Sequence, residues 1–154
     1  MRTLVAIALM IIVGALATPA FADTPFAVGQ VWTLKGSDYP TAQVLIDRLE
    51  MFGGKPIAHI TVLHVPVTDD AGAAMGETVV GHMPFTEEAL RRSVGALVRS
   101  DSPVYDQFEA GYADWKAANG GVFTITVPEG IAIVLEAMHN APPPKPNETA
   151  SATR

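Results

Sequence analysis

The segment 57–65 constrains the fold more than any other stretch of the chain. Ala58, Ile60 and Val62 alternate with His59 and Thr61, the period of two that a strand shows. Pro66 closes the segment. Phe52-Gly53-Gly54-Lys55-Pro56 ahead of it has the length and glycine content of a hairpin connection. A strand so closely linked to its predecessor pairs antiparallel, because parallel neighbours need a crossover of a dozen residues or more. That predecessor is 42–50. There Val44 and Ile46 face one way and Leu45 and Leu49 the other, as in a strand covered on both sides.

Further elements follow from the same patterns. Residues 26–35 read as a first strand, with Val28, Gln30, Trp32 and Leu34 on one face. Gly36-Ser37-Asp38-Tyr39-Pro40 turns the chain. Residues 67–77, with Asp69, Asp70, Gly72 and Gly76, read as a surface loop, and 78–83 as a fourth strand. Pro84-Phe85-Thr86 makes a corner into a helix: Thr86 suits its N-cap, and Glu87 and Glu88 suit its positive end. Ala89, Leu90, Val94, Leu97 and Val98 form its apolar stripe, and Ser100-Asp101-Ser102-Pro103 breaks it. A second helix spans 105–119, with Tyr105, Phe108, Tyr112 and Trp115 at helical spacing, and Gly120-Gly121 stops it. Residues 122–127 read as a fifth strand. Residues 131–138 read as helix, since Pro128 suits a first turn and Glu129 its dipole. The expected fold is α+β: a mostly antiparallel sheet of about five strands with two or three helices on one face.

The chain ends read differently. Arg2, the apolar run 4–16 and Ala20-Phe21-Ala22 have the layout of a signal peptide over 1–22, cleaved near Ala22/Asp23. The run is short of the roughly 20 apolar residues of a membrane span. The mature chain is therefore expected to be periplasmic or secreted, with no membrane span after signal removal. It holds no Cys, so its stability must come from packing. Ten Lys and Arg stand against 16 Asp and Glu, without a basic cluster, which argues against nucleic acid as a partner. Residues 140–154 are rich in Pro, Ser, Thr and Ala without apolar periodicity and read as a disordered tail. One domain is expected over 23–139.

Chemistry-bearing residues are few. His59 and His82 lie on strands that can be neighbours, and Asp47 or Glu50 could join them as a two-histidine, one-carboxylate set. No local ligand spacing such as H-E-x-x-H accompanies them, so no metal and no cofactor is expected. The ordinary alternative is histidines hydrogen-bonded within the fold. His59 and His64, five apart, fall on opposite faces of a regular strand. Ser37, Ser93, Ser100 and Ser102 lie outside any nucleophile motif. Glu87 and Glu88 repel an anion at the helix start, which removes a phosphate site there. The aromatic stripe closes over the sheet, or else Tyr112 and Trp115 form a partly exposed binding face, in which Trp32 could share.

In order, Val28-Gly29-Gln30-Val31-Trp32, Gly81-His82-Met83-Pro84-Phe85, Ala89-Leu90, Ser93-Val94, Gly111-Tyr112 with Trp115-Lys116, and Gly120-Gly121-Val122-Phe123 resemble a group of small exported bacterial proteins. The resemblance spans about residues 26–137 and implies one domain behind an export signal. It implies no activity, cofactor or catalytic residue. The expected function is that of a small exported binding or accessory protein, not an enzyme, with a periplasmic protein or small ligand as partner. One alternative is a hydrolase or metal-dependent enzyme using His59 and His82 with a carboxylate. It requires the two rings to converge, because a general base reaches its proton directly or through one water. The other is an inhibitor or immunity-type protein for a basic partner.

Overall fold

The computed structural model describes residues 24–36, 38–69 and 71–141. The expected leader 1–22 and the expected tail beyond Ala141 lie outside the described residues, as do Ser37 and Asp70. Among the described residues the chain forms five strands and three helices: β1 (Val31–Leu34), β2 (Gln43–Phe52), β3 (Lys55–Thr68), β4 (Ala74–Thr86), α1 (Glu87–Ser93), β5 (Val94–Arg99), α2 (Phe108–Ala117) and α3 (Val127–His139). The strands make one antiparallel sheet in the order β4-β3-β2-β1-β5, the expected α+β arrangement. Gly53 and Gly54 both take positive φ in the β2–β3 hairpin, a conformation that favours glycine.

The sheet is covered on both sides. Ala58, Ile60 and Val62 of β3 join Val44 and Ile46 of β2 and Met83 and Phe85 of β4 on one face. That face receives Ala89 and Leu90 of α1 and Val127 and Ile131 of α3. His59, of the opposite parity on β3, meets Phe108 and Tyr112 of α2 instead. Two helices, α1 and α3, thus share one face, within the two or three expected there, and α2 covers the other. The physical reason is β3 itself, which is buried continuously from Ile57 to Val62 and needs cover on each side.

β3 runs past Pro66 to Thr68 and β4 begins at Ala74, so the two pair through most of the expected loop 67–77, and three further elements differ from the sequence reading. The helix begun at Thr86 is capped as expected, Thr86 Oγ1 accepting from Ala89 N at 3.3 Å, but it stops at Ser93. The buried Ser93 hydroxyl donates to Ala89 O at 2.7 Å and accepts from Val127 N at 2.9 Å, joining the end of α1 to the start of α3. Val94 then turns extended, and Val94–Arg99 pairs with β1. The apolar stripe that mimicked a helix belongs to a strand from Val94 onward. The expected strand 122–127 is reduced to one bridge, Phe123 to Phe85. It is cut short because Glu129 accepts from Thr126 N and Oγ1, at 2.8 and 2.6 Å, and starts α3 at Val127. The expected first strand shrinks to Val31–Leu34, because Gly29 takes φ 85° in the preceding turn.

Phe85 links both layers of this core. Its ring is fully buried, stacks on Phe123 at 5.0 Å and lies against Gly130 of α3. Replacing it with Ala removes the packing of α3 on β4 at once. Phe85→Ala is expected to cost about 3–5 kcal/mol, the usual range for a buried Phe. A urea titration reads this as a lower midpoint at unchanged slope.

Candidate functional site

Two irregularities in the ladder build the site under α2. Between the pairs Ile46↔Ile60 and Arg48↔His59, β2 carries the extra residue Asp47. Between Ile60↔Met83 and Val62↔Val80, the single residue Thr61 of β3 faces both Gly81 and His82 of β4. Such bulges re-aim side chains and often border functional sites. The first places Arg48, Glu50 and Phe52 on the face of His59. The second holds His82 at φ 35°, a region that non-glycine residues occupy at a cost in strain.

The result is a hydrogen-bonded line. His59 Nδ1 lies 3.0 Å from His82 Nε2, and His59 Nε2 lies 2.8 Å from Glu50 Oε1. Tyr112 donates its hydroxyl proton to Glu50 Oε2 at 3.1 Å. His59 is 0% exposed, His82 half-buried, and the rings stack with centroids 5.1 Å apart. Phe108, Tyr112 and Trp115 close over them, with centroids 4.9–6.3 Å from His59. Gly111 makes this closeness possible: a Cβ there would stand 2.7 Å from His82 Cβ. Arg48 lies over the Tyr112 ring at 4.0 Å and pairs with Glu109 at 2.8 Å, and Lys116 Nζ lies 5.3 Å from the same ring.

The electrostatics assign the protons. Burial lowers the His59 pKa despite Glu50. Burial, His59 and Arg48 lower that of His82 to about 4. Burial alone would raise that of Glu50, but its hydrogen bonds from His59 and Tyr112 outweigh this and lower it. At neutral pH, Glu50 is a carboxylate and both rings are neutral. Glu50 then accepts only, so His59 carries its proton on Nε2 and donates to Glu50. His59 Nδ1 is left bare and accepts from His82 Nε2. His82 Nδ1 is the remaining bare nitrogen, on the side of Gly111.

The sequence candidates separate accordingly. His59, His82 and Glu50 come together; Asp47 does not join them. Tyr112 and Trp115 belong to the site, and Phe108 and Arg48 complete it. Trp32 lies elsewhere, 2% exposed in the core, donating Nε1 to Gln30 Oε1 at 3.1 Å. His64 is exposed and pairs with Glu77 at 2.9 Å. Among the described residues no group of three His, Cys, Asp or Glu side chains is placed to hold a metal ion. None of the described helices is long and apolar enough to cross a membrane. Comparison with family models, curated proteins and solved structures finds no match to the chain. Arg48 escaped the sequence reading because a bulge at Asp47, not a motif, brings it to this face.

Asp47 has its own role. It is buried, its Oδ1 accepts from Tyr105 N at 2.8 Å, and so it anchors the segment leading into α2. Its Oδ2 and the hydroxyl of neighbouring Thr61 are buried without a well-formed hydrogen bond, although Thr61 lies close enough to favour the carboxylate. Burial raises the Asp47 pKa against the lowering effects of the Tyr105 N–H bond and of Thr61. With the folded pKa above the unfolded one, the group favours the fold in acid, and that contribution is lost as pH rises through the folded pKa. Asp47→Asn keeps the acceptor for Tyr105 and adds a donor for Thr61. It is expected to raise stability at pH 7 by about 1 kcal/mol, the worth of one satisfied hydrogen bond. The gain shrinks toward pH 3, as paired thermal melts at the two pH values would read.

Proposed function

We propose that this chain is a small exported binding protein whose contact surface is the end of the β2–β3 hairpin together with the edge of α2. The observation that supports this most directly is apolar exposure where the hairpin outruns the helices. Met51 is 66% and Phe52 45% exposed, and Leu49 of the same strand is exposed too. The Phe52 ring lies 5.3 Å from that of Trp115, so on its face the apolar surface continues onto α2. Lys55 and Lys116 border it. Leu49 and Met51 project from the opposite face to Phe52, so exposed apolar surface wraps both sides of the hairpin end, and such surface with a charged rim is a usual mark of a contact site. The site below supports the same reading: its polar groups are turned toward one another and hold α2 in place. Export rests on the sequence layout of residues 1–22.

The test is capture with a matched control. The wild-type chain and a Met51→Ser/Phe52→Ser variant are used as bait against extract from the source compartment. Both side chains are exposed, so the variant is expected to melt within a few degrees of wild type. A partner held by the wild type and lost by the variant is the expected result. Identical retention by both would remove the hairpin end as the contact surface.

A second reading has one specific observation behind it. Glu50, His59 and His82 form a line in which a carboxylate orients one imidazole and that imidazole accepts from the next, leaving His82 Nδ1 as a base. Hydrolysis would then depend on His82. A panel of chromogenic esters, phosphoesters and glycosides, run with wild type and His82→Asn, decides it. Turnover that vanishes in the variant supports the enzyme; no turnover, or equal turnover, removes it.

A further inference from the structure

We infer that α2 is a proton-released cover: protonation of the His59–His82 pair lifts this helix from the sheet while the sheet and the core on its other face stay folded. The argument begins with proton counting. The pair holds one proton between its facing nitrogens, which are 3.0 Å apart, and a second on His59 Nε2, held by Glu50 at 2.8 Å. A third proton can enter without breaking a bond only at His82 Nδ1. A fourth would place two N–H groups head to head between the rings.

His82 Nδ1 is a poor place for a cation. It lies 3.9 Å from where a Gly111 Cβ would stand, on the underside of α2. Among the described residues it has no hydrogen-bond partner. The charged groups around it come from each packed element. From β2 there are Glu50, which is engaged by His59 and Tyr112, and Arg48. From α2 there are Glu109, paired with Arg48, and Lys116. β3 contributes His59. The carboxylates are thus already committed, and Arg48 and Lys116 add like charge. Water is the remaining solvator of an imidazolium there; His82 is half-buried under α2, so its solvation is partial until the helix lifts.

The fold lets α2 move alone. Segments 103–107 and 118–122, outside the sheet ladder, join it to fixed points, Ser102 bonded to Gly29 and Phe123 bridged to β4 at Phe85. Its seat is the His59–His82 pair with Phe108, Tyr112 and Trp115, whereas α1 and α3 pack on the other face. Asp47 anchors only the approach at Tyr105. Release would uncover the aromatic underside of α2 and the His59 face of the sheet. The inference rests on this packing and holds independently of whether the hairpin end receives a partner.

Hydrogen exchange followed by mass spectrometry tests it, on wild type and His82→Asn at pH 7.0, 5.5 and 4.5, corrected for intrinsic exchange. Asn tolerates positive φ and keeps a donor toward His59 while removing the titration. In wild type, protection of residues 108–117 is expected to fall at least tenfold between pH 7.0 and 4.5, while 57–62 keep theirs. In the variant, 108–117 are expected to stay within about threefold. Wild-type α2 protected at all three pH values would overturn the inference. So would simultaneous loss in α2 and β3, which is global unfolding, or an equal loss in the variant.

Discussion

Burial of β3 on both faces is the constraint on which the rest depends. A strand covered once can leave its polar residues to water. β3 cannot, because His59 and Thr61 are as deeply buried as Ala58 and Ile60. One face is satisfied by apolar contact with α1 and α3. The other face has to satisfy an imidazole and a hydroxyl as well as exclude water. α2 meets the first need by supplying aromatic rings and a hydroxyl through Tyr112, while Glu50 and His82 come from the flanking strands. Thr61 leans only on the Asp47 carboxyl, without a well-formed hydrogen bond, so the polar face is less completely matched than the apolar one.

Much of the architecture was legible because it is local. The Ala58/Ile60/Val62 alternation, the Gly53-Gly54 link, the Thr86 cap and the Pro128–Glu129 helix start are each written within a few residues, and each has a physical cause acting over the same span. What misled was long-range. Val94, Leu97 and Val98 fit a helix stripe and a strand almost equally well. The open edge of β1, over sixty positions upstream, decides between them. Residues 122–127 have good alternation, yet the capping box at Thr126 competes for the same backbone and wins.

The site was legible as a question. That His59 and His82 could meet followed from strand order, and Glu50 was among the carboxylates in reach. How they meet depends on two bulges, and one extra residue in a strand leaves no mark that period-two reading can detect. The Gly111 contact illustrates the same limit. Its small size permits close helix approach, but the thing approached, a strained histidine on an edge strand, is visible only in three dimensions.

The pairing of β1 with β5 has a consequence for how this chain acquires its shape. Thr33 and Ala96, joined by a hydrogen bond of 2.9 Å, are 63 positions apart in the chain. β1 is made first, yet one of its two edges waits until the meander, α1 and β5 have all appeared. The Ser93 hydroxyl waits longer still, for Val127. Contacts of such span close late and slowly, because the entropy of a large loop is lost before its contacts form. A nascent chain therefore passes through a β1–β2–β3–β4 stage with an open β1 edge and an uncovered apolar face, the stage at which a folding helper would find most to hold.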